Sequence, residues 1–197
     1  MSENTESRPR ALILVDVQPT FCEGGALPTE GANAVSERVG RFAVDRRDDY
    51  AIVVTTQDWH IDPGEHFSET PDFVDTWPPH GVAGTPEAEL HPALEGVTVD
   101  ASVKKGMYAA AYSGFEGTDS DGRTLAQILD AAGVREVDVV GLVESHCVKE
   151  TALDAKKLGL RTRVLTDLTV PVSPELGAQA RRQMTAVGIE LAESGQS

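Results

Sequence analysis

The chain has 197 residues, of which 40% are apolar and 25% are charged, and it carries a formal net charge of −15. This length and composition suit one soluble domain of α/β size with a substantial core. The acidic balance argues against nucleic acid or an anionic membrane as the main partner, because both would repel the protein. A small neutral substrate is compatible with it.

The first ten residues, MSENTESRPR, are polar and lack the apolar core of a signal peptide. We expect a disordered lead-in over residues 1–10 and a single domain over residues 11–197. No stretch approaches the ~18 apolar residues of a membrane span. The two cysteines, Cys22 and Cys147, lie far apart in the sequence. Without a secretion signal, we expect a cytoplasmic protein with free thiols and no disulfide.

Six short runs rich in β-branched residues predict strands, and four segments with helical periodicity alternate with them. This alternation predicts βαβ units, in which helices cover both faces of a parallel sheet. The expected fold is therefore a three-layer α/β/α domain with a central, mostly parallel sheet of about six strands. The predicted strands span residues 11–17, 50–57, 97–105, 135–143, 160–168 and 188–194, the last at an edge. The predicted helices span residues 31–46, 124–132, 147–158 and 174–187.

Residues 61–95 interrupt this alternation. The segment is rich in proline, glycine and acidic residues, and it has little periodicity. A loop this long inside a compact domain is usually functional. Three of the five histidines of the chain lie between Asp58 and His80.

Polar residues gather where the predicted strands end, which is where open parallel sheets bind their ligands. Asp16 is near the end of the first strand. Asp58 and His60 follow the second, and a lysine at position 104 or 105 follows the third. Cys147 follows the fourth, at the start of a helix.

The histidines allow two interpretations. Asp58 and His60 are two positions apart, so in an extended backbone they point to the same side. His66 and His80 could fold back from the loop and complete a site for Zn²⁺, Fe²⁺ or Mn²⁺. The alternative is that these are surface histidines and that Asp58 belongs to a turn.

Cys147 also allows two interpretations. A helix N-terminus, with Ser145 as a possible N-cap, would lower the pKa of a thiol and make it a nucleophile. The alternative is a buried structural cysteine, which is the interpretation we favour for Cys22. A nucleophilic thiol that attacks an amide needs a base. Asp16 is better placed for this than His146, which would point elsewhere on the helix.

Taken together, these strand ends resemble the nicotinamidase/pyrazinamidase family of isochorismatase-like cysteine hydrolases, over about residues 10–191. The segment DVQPTF resembles the family's DVQNDF-type motif. This implies that Asp16 is the general base and that Phe21 packs on the substrate ring. The histidine segment resembles the family's metal motif. It implies one divalent ion, Zn, Fe or Mn, whose ligands are Asp58, His60, His66 and His80.

The remaining motifs extend the resemblance. The run KKGMYAAAYSGFEG resembles the family's KG…YSGFEG segment, which implies that Lys105 rather than Lys104 is catalytic. SHCV implies that Cys147 is the nucleophile. It also implies a cis peptide at Leu142–Val143 and an oxyanion hole formed by the backbone N–H groups of Val143 and Cys147. Two further aromatic residues would line the substrate pocket, Trp77 and Tyr112.

The implied reaction is hydrolysis of nicotinamide, and also of pyrazinamide, through a cysteine thioester, with a role in NAD salvage. The expected partner is a small-molecule amide rather than nucleic acid or a membrane. The sequence leaves open whether the protein forms a homo-oligomer. The chain departs from the family pattern at Pro19 and Thr20, at Glu144 and Ser145, and at Gly81. Two rival functions remain: a related cysteine hydrolase acting on another amide or carbamoyl group, and a catalytically dead binding or metal-storage protein.

Overall fold

The computed structural model describes residues 9–195. Most of the lead-in predicted over residues 1–10 therefore lies outside the described residues. Arg10 is already the first residue of the first strand, where it is in register with Glu136. Within residues 9–195, no helix is both long enough and apolar enough to cross a bilayer.

The core of the molecule is one six-stranded sheet in the order β3-β2-β1-β4-β5-β6. Every neighbouring pair of strands is parallel, which confirms the predicted sheet. The first strand is buried on both faces of the sheet. Its side chains alternate, so that Ile13 and Val15 face one apolar core while Leu12 and Leu14 face the other. The strands are β1 (Arg10–Val15), β2 (Ile52–Asp58), β3 (Ala101–Lys105), β4 (Glu136–Leu142), β5 (Arg161–Val170) and β6 (Glu190–Ala192).

Helices cover both faces of this sheet, which gives the three predicted layers. The first helix buries Val35, Val39 and Ala43 against one face, at the spacing of four that puts them on one side. The other three helices contribute to the core on the opposite face. Sequence signals fix where they begin, such as the Thr124 capping box and the Ser173 N-cap followed by a proline. The helices are α1 (Ala32–Asp45), α2 (Leu125–Ala131), α3 (Lys149–Lys157) and α4 (Pro174–Ala186).

The predicted helix over residues 147–158 differs from the structure in its first turn. The chain leaves β4 through a π turn, Glu144–Val148, and α3 follows it directly. The N-cap is Val143, so the prediction that Ser145 caps this helix is wrong. The Ser145 hydroxyl instead accepts a hydrogen bond from the Val172 N–H at 3.2 Å. A single π turn at this position is common near functional sites.

The strand order locates the crevice of the sheet. The chain proceeds outward from β1 through β2 and β3 on one side, and from β4 through β5 and β6 on the other. The order therefore reverses between β1 and β4, and ligands of such sheets bind beyond the carboxyl ends at this point. Asp16 follows β1 and the π turn follows β4, so both lie at this crevice.

Candidate active site

Asp16 lies in a sharp turn directly after β1. Its backbone adopts a left-handed conformation with φ of +46°, which is uncommon for a residue other than glycine and is often found at functional sites. Thr56 on β2 fixes the turn, because its carbonyl oxygen accepts the Asp16 N–H at 3.1 Å and its hydroxyl donates to Asp16 Oδ1 at 2.6 Å. In the sequence, Thr56 looks like an ordinary strand residue, and no motif marks it.

Lys105, the last residue of β3, lies fully buried among the other polar groups. Its Nζ is 3.0 Å from Asp16 Oδ2 and 3.7 Å from Cys147 Sγ, and it also forms an ion pair with Asp58. The neighbouring Lys104 points away, and its Nζ lies 3.2 Å from the centre of the Trp59 ring. The alternation of a strand thus separates the two lysines, and Lys105 is the one at the crevice.

Burial and charge set the protonation of this cluster. Burial alone would lower the pKa of Lys105, but the two carboxylates outweigh it and hold the pKa well above its usual value. Burial raises the pKa of Asp16 despite the opposing charge of Lys105. The Thr56 hydroxyl donates to Asp16 Oδ1, whereas Oδ2 carries the ion pair with Lys105. The Cys147 thiol also hydrogen-bonds to this carboxylate, which can therefore accept the proton of the thiol.

The expected effect of the helix N-terminus on Cys147 is wrong. Complete burial raises the pKa of this thiol well above its usual value, and Lys105 compensates only in part because the nearby carboxylates oppose it. The resting thiol is consequently protonated at neutral pH and needs a base. Cys22 is also buried and not in a disulfide, and its Sγ lies 3.5 Å from the Gln18 carbonyl oxygen, in the apolar core beneath α1.

The π turn brings further groups to the crevice. The peptide bond between Leu142 and Val143 is cis. Both Val143 and Cys147 line the cavity described below. His146 lines it as well, with its ring 5.5 Å from that of Trp77. The expectation that His146 points elsewhere is therefore wrong, because it assumed α-helical spacing where the chain forms a π turn.

Three buried histidines meet beside Asp58. One nitrogen from each of His60, His66 and His80 lies within 4.8 Å of the others. The His60 Nε2 is 3.5 Å, and the His80 Nε2 3.6 Å, from Asp58 Oδ2. Lys105 and these two histidines hold the pKa of Asp58 well below its usual value, although burial acts in the opposite direction. All four predicted ligands therefore lie in one cluster, with Asp58 shared between the histidines and Lys105.

The hydrogen bonds of these histidines leave nitrogens available to a metal ion. The His60 Nδ1 pairs with the Gly106 carbonyl oxygen at 2.6 Å, and the His80 Nδ1 pairs with that of Pro78 at 2.8 Å. Such outer contacts orient an imidazole ligand and fix its tautomer. Within residues 9–195, the buried His60 Nε2 and His66 Nδ1 have no hydrogen-bond partner.

Three imidazoles and a carboxylate fit a divalent transition metal. Burial and the neighbouring His80 and His60 lower the pKa of His66 to about 4, so its ring is neutral at pH 7. Gly106 adopts a φ of +74°, and a Cβ there would lie 2.5 Å from the His60 ring, so glycine is required beside the cluster. His91 stands apart, paired with Asn33 at 3.1 Å.

A cavity of about 600 Å³ opens above these groups. Phe21, Trp77 and Tyr112, the three predicted pocket residues, all line it. The Trp77 Nε1 donates to the Tyr112 hydroxyl at 3.0 Å, which fixes both rings. Cys147, Asp58, His66 and His80 are also part of its wall. One concave site therefore joins a thiol, a histidine cluster and several aromatic faces.

Residues 10–196 match the isochorismatase domain family. The chain belongs to this family. The nicotinamidase/pyrazinamidase of Mycobacterium tuberculosis is 50% identical to it over 182 residues, which are 92% of this chain and 97% of that protein.

Solved structures share the fold. A pyrazinamidase of Pyrococcus horikoshii in complex with zinc superposes with a TM-score of 0.79 and 35% identity, over 93% of this chain and 98% of its own. PnC1 from L. infantum in complex with nicotinate superposes with a TM-score of 0.80 and 30% identity, over 96% and 95% of the two chains.

Proposed function

We propose that this isochorismatase-family chain is a nicotinamidase, which hydrolyses nicotinamide to nicotinate and ammonia and also acts on pyrazinamide. The observation that carries the proposal is the meeting of Asp16, Lys105 and Cys147 beside a histidine cluster in an aromatic-lined cavity. The 50% identity to a nicotinamidase/pyrazinamidase over almost the full length of both chains supports the same substrates. The expected role is NAD salvage in the cytoplasm.

Asp16 begins the reaction by removing the proton of Cys147. The raised pKa of the thiol makes this base necessary, and the raised pKa of Asp16 brings the two proton affinities closer together. The thiolate sulfur then attacks the amide carbonyl carbon and forms a tetrahedral intermediate. Backbone N–H groups of Val143 and Cys147 hold its oxyanion.

Collapse of the intermediate releases ammonia. Protonated Asp16 returns its proton to the leaving nitrogen, and the acyl group remains on Cys147 as a thioester. Asp16 then removes a proton from a water molecule, which attacks the thioester. The C–S bond breaks, the acid leaves as nicotinate, and Asp16 returns its proton to the thiolate of Cys147, so the enzyme returns to its starting state. The same carboxylate serves both half-reactions as acid and base.

Lys105 stabilises the negative charges of this buried site. Two carboxylates and a transient thiolate would repel one another in this buried site, and an ammonium 3.0 Å from Asp16 and 3.7 Å from the sulfur offsets that repulsion. Phe21 and Trp77 bind the faces of the aromatic ring, and Tyr112 holds Trp77 in place.

The residues that would hold one divalent ion, Zn, Fe or Mn, are His60, His66, His80 and Asp58. When bound there, the ion would supply a Lewis acid that orients the nitrogen of the substrate ring. The histidine nitrogens without hydrogen-bond partners support this assignment.

Ammonia release from nicotinamide, measured with and without a chelator, tests the proposal. We expect turnover that falls on chelation and returns when the divalent ion is added back. A panel of nicotinamide, pyrazinamide, aliphatic amides and carbamoyl compounds tests the rival cysteine hydrolase. Turnover of a carbamoyl compound with none of nicotinamide would establish that rival, and no turnover of any amide would leave the binding-protein alternative.

A further inference from the structure

The cavity above Cys147 has two parts that differ in burial. The inner wall is almost inaccessible to solvent, since Phe21, Trp77, Val143 and Cys147 are at most 7% exposed. Large apolar side chains form the outer wall and remain exposed, at 59% for Phe73, 47% for Val172 and 40% for Leu176. Cavities of roughly 300–1,000 Å³ bind drug-sized ligands. At about 600 Å³, this one is larger than a single ring with a carboxamide requires.

The outer wall is apolar throughout. It consists of Ala26, Leu27, Pro28, Phe73, Val172 and Leu176. The charged or titratable side chains of the cavity belong to its inner part or to the π turn, namely Asp58, His66, His80, Tyr112, His146 and Cys147. Exposed apolar residues on a soluble protein are usually scattered, and their convergence on one concavity marks a binding surface.

Phe73 is held in place although more than half of it is exposed. Its backbone has a left-handed φ of +58°, which is unusual for an aromatic residue. Asp72 fixes this turn, because its Oδ1 accepts the N–H groups of Val74, Asp75 and Thr76, each at 2.9 Å. The ring packs edge-on against Trp77, with 6.1 Å between the ring centres. The turn therefore presents a positioned aromatic face at the cavity mouth.

Val172 and Leu176, two other residues of the outer wall, are held by hydrogen bonds of their backbone N–H groups. The Val172 N–H donates to the Ser145 hydroxyl in the π turn at 3.2 Å. The Leu176 N–H donates to the Ser173 hydroxyl at the start of α4, at 3.3 Å. The first contact ties Val172 to the turn that carries Cys147, and the second fixes Leu176 at the start of α4.

The geometry points to a second, apolar subsite at the cavity mouth, formed by Leu27, Phe73, Val172 and Leu176, that binds a hydrophobic substituent on the ring of an aromatic carboxamide. This inference rests on the proposed amidase function. The reacting carboxamide lies at Cys147 and the ring lies between Phe21 and Trp77, which leaves the outer part for a group attached to the ring. The substrates are then alkyl- or aryl-substituted pyridine carboxamides, hydrolysed to the substituted acid and ammonia.

Steady-state kinetics on matched substrates test the subsite. The panel contains nicotinamide, its 5-propyl and 6-propyl derivatives, and the corresponding 2-hydroxyethyl derivatives of similar size. Burial of one methylene group changes affinity by about fourfold. We expect the better propyl isomer to have a KM on the order of tenfold below that of nicotinamide, with similar kcat, and its hydroxyethyl counterpart to show little of this gain.

Substitutions at the mouth then locate the effect. Val172→Ser and Leu176→Ser should each remove most of the propyl gain and leave nicotinamide kinetics within about twofold. Val44→Ser is the matched control, because Val44 is 48% exposed and lies near the C-terminal end of α1. This substitution should leave the kinetics of both nicotinamide and the propyl derivative unchanged. Circular dichroism melts verify that all variants are folded.

The possible results distinguish failure of the subsite from failure of the proposed amidase function. Hydrolysis of nicotinamide with no propyl gain for either isomer overturns the subsite and leaves the amidase intact, whereas no hydrolysis of any pyridine carboxamide overturns the proposed function itself. A propyl gain that persists in both serine variants also overturns the subsite. Should Leu176→Ser instead dissociate an oligomer in size-exclusion chromatography, with no substituent effect, the patch is a subunit contact and the inference fails.

Discussion

Two buried ionic clusters lie at opposite ends of the same sheet. The carboxyl-end cluster is Asp16, Asp58 and Lys105, and the amino-end cluster is Tyr50, Asp138 and Arg163. In the second, Arg163 donates to both oxygens of Asp138 at 2.8 and 2.7 Å, and the Tyr50 hydroxyl donates at 2.7 Å. The cavity beside it is only about 30 Å³, the volume of about one water molecule.

The two clusters differ in how completely their polar atoms are paired. The amino-end cluster directs three well-formed hydrogen bonds at one carboxylate. Among the histidines beside the carboxyl-end cluster, His60 Nε2 and His66 Nδ1 have no hydrogen-bond partner among the described residues, and the cavity beside them is about 600 Å³. A buried polar atom without a partner destabilises the folded state. Such atoms next to a large cavity therefore indicate a catalytic or binding role rather than a role in stabilising the fold. Substitutions can test that distinction.

Cys147→Ala should have the largest effect. Loss of the proposed nucleophile should abolish ammonia release, while the melting temperature should change little because only one sulfur atom is lost at the cavity wall. Iodoacetamide should inactivate the wild type, and nicotinamide should protect it. Cys22→Ala is the control, since Cys22 is buried in the apolar core away from the cavity. Full turnover by Cys147→Ala would exclude the thioester mechanism.

The same substitution in both clusters sharpens the comparison. Asp16→Asn should lower kcat by at least about 10²–10⁴-fold, because one carboxylate transfers each proton. It should leave stability unchanged or higher, since burial already disfavours its charge. Asp138→Asn should show the reverse, with a loss of about 3 kcal/mol in the free energy of unfolding and an unchanged kcat for folded enzyme. Denaturant titration and initial rates give both values, and equal losses of stability would contradict the distinction.

Lys105→Ala and Lys104→Ala test the register of β3. Loss of the buried ammonium should reduce kcat/KM on the order of 10²–10³-fold, as loss of one electrostatic contact in an active site typically does. It also leaves two buried carboxylates unpaired, so a lower melting temperature should accompany the loss. Lys104→Ala removes only a contact with Trp59 and should be mild. The opposite order of the two variants would place the catalytic lysine at position 104.

Strand geometry explains how much of this site was predictable. Asp16, Asp58, Lys105 and Cys147 all follow from one rule, that the carboxyl ends of parallel strands meet at one edge. The family resemblance then chose Lys105 over Lys104, and strand alternation gives the same answer. The fold class and nearly every helix and strand followed from periodicity, with boundaries within a few residues.

The parts that sequence reasoning missed depend on contacts between distant segments. The pKa of Cys147 depends on burial and on two carboxylates from other strands, which outweigh the local helix terminus. The π turn changed the direction of His146 and the role of Ser145, and no sequence pattern distinguishes it from an α-helical start. Thr56 supports Asp16 from a neighbouring strand, and only the register of β1 and β2 reveals it.

Metal content should distinguish the histidine cluster from ordinary buried polar groups. We expect about one divalent ion per chain in protein purified without a histidine tag, measured by elemental analysis. Protons compete for imidazole, so the content should fall as the pH drops below ~6. His60→Ala and His80→Ala should lower it, and His91→Ala should not. Chelation should also lower the melting temperature and expose residues 61–95 to proteases. A metal-free protein that is unaffected by added ions would contradict the assignment.

Tyr50→Phe should have the smallest effect, and the size of that effect depends on pH. The hydroxyl donates to Asp138, which keeps both bonds from Arg163, so its loss should cost about 1–2 kcal/mol of unfolding free energy at pH 7 and leave kcat unchanged. Burial and the charge of Asp138 raise the pKa of Tyr50 above its usual 10. The unfolded state therefore loses this proton first as the pH rises above 10, and the wild type should lose up to about 1.4 kcal/mol per pH unit from this group. The difference in stability between wild type and Tyr50→Phe should accordingly shrink between pH 9 and pH 11. A constant difference across this range would show that Tyr50 is not held protonated by the amino-end cluster, and a loss of kcat at pH 7 would show that the two clusters are coupled.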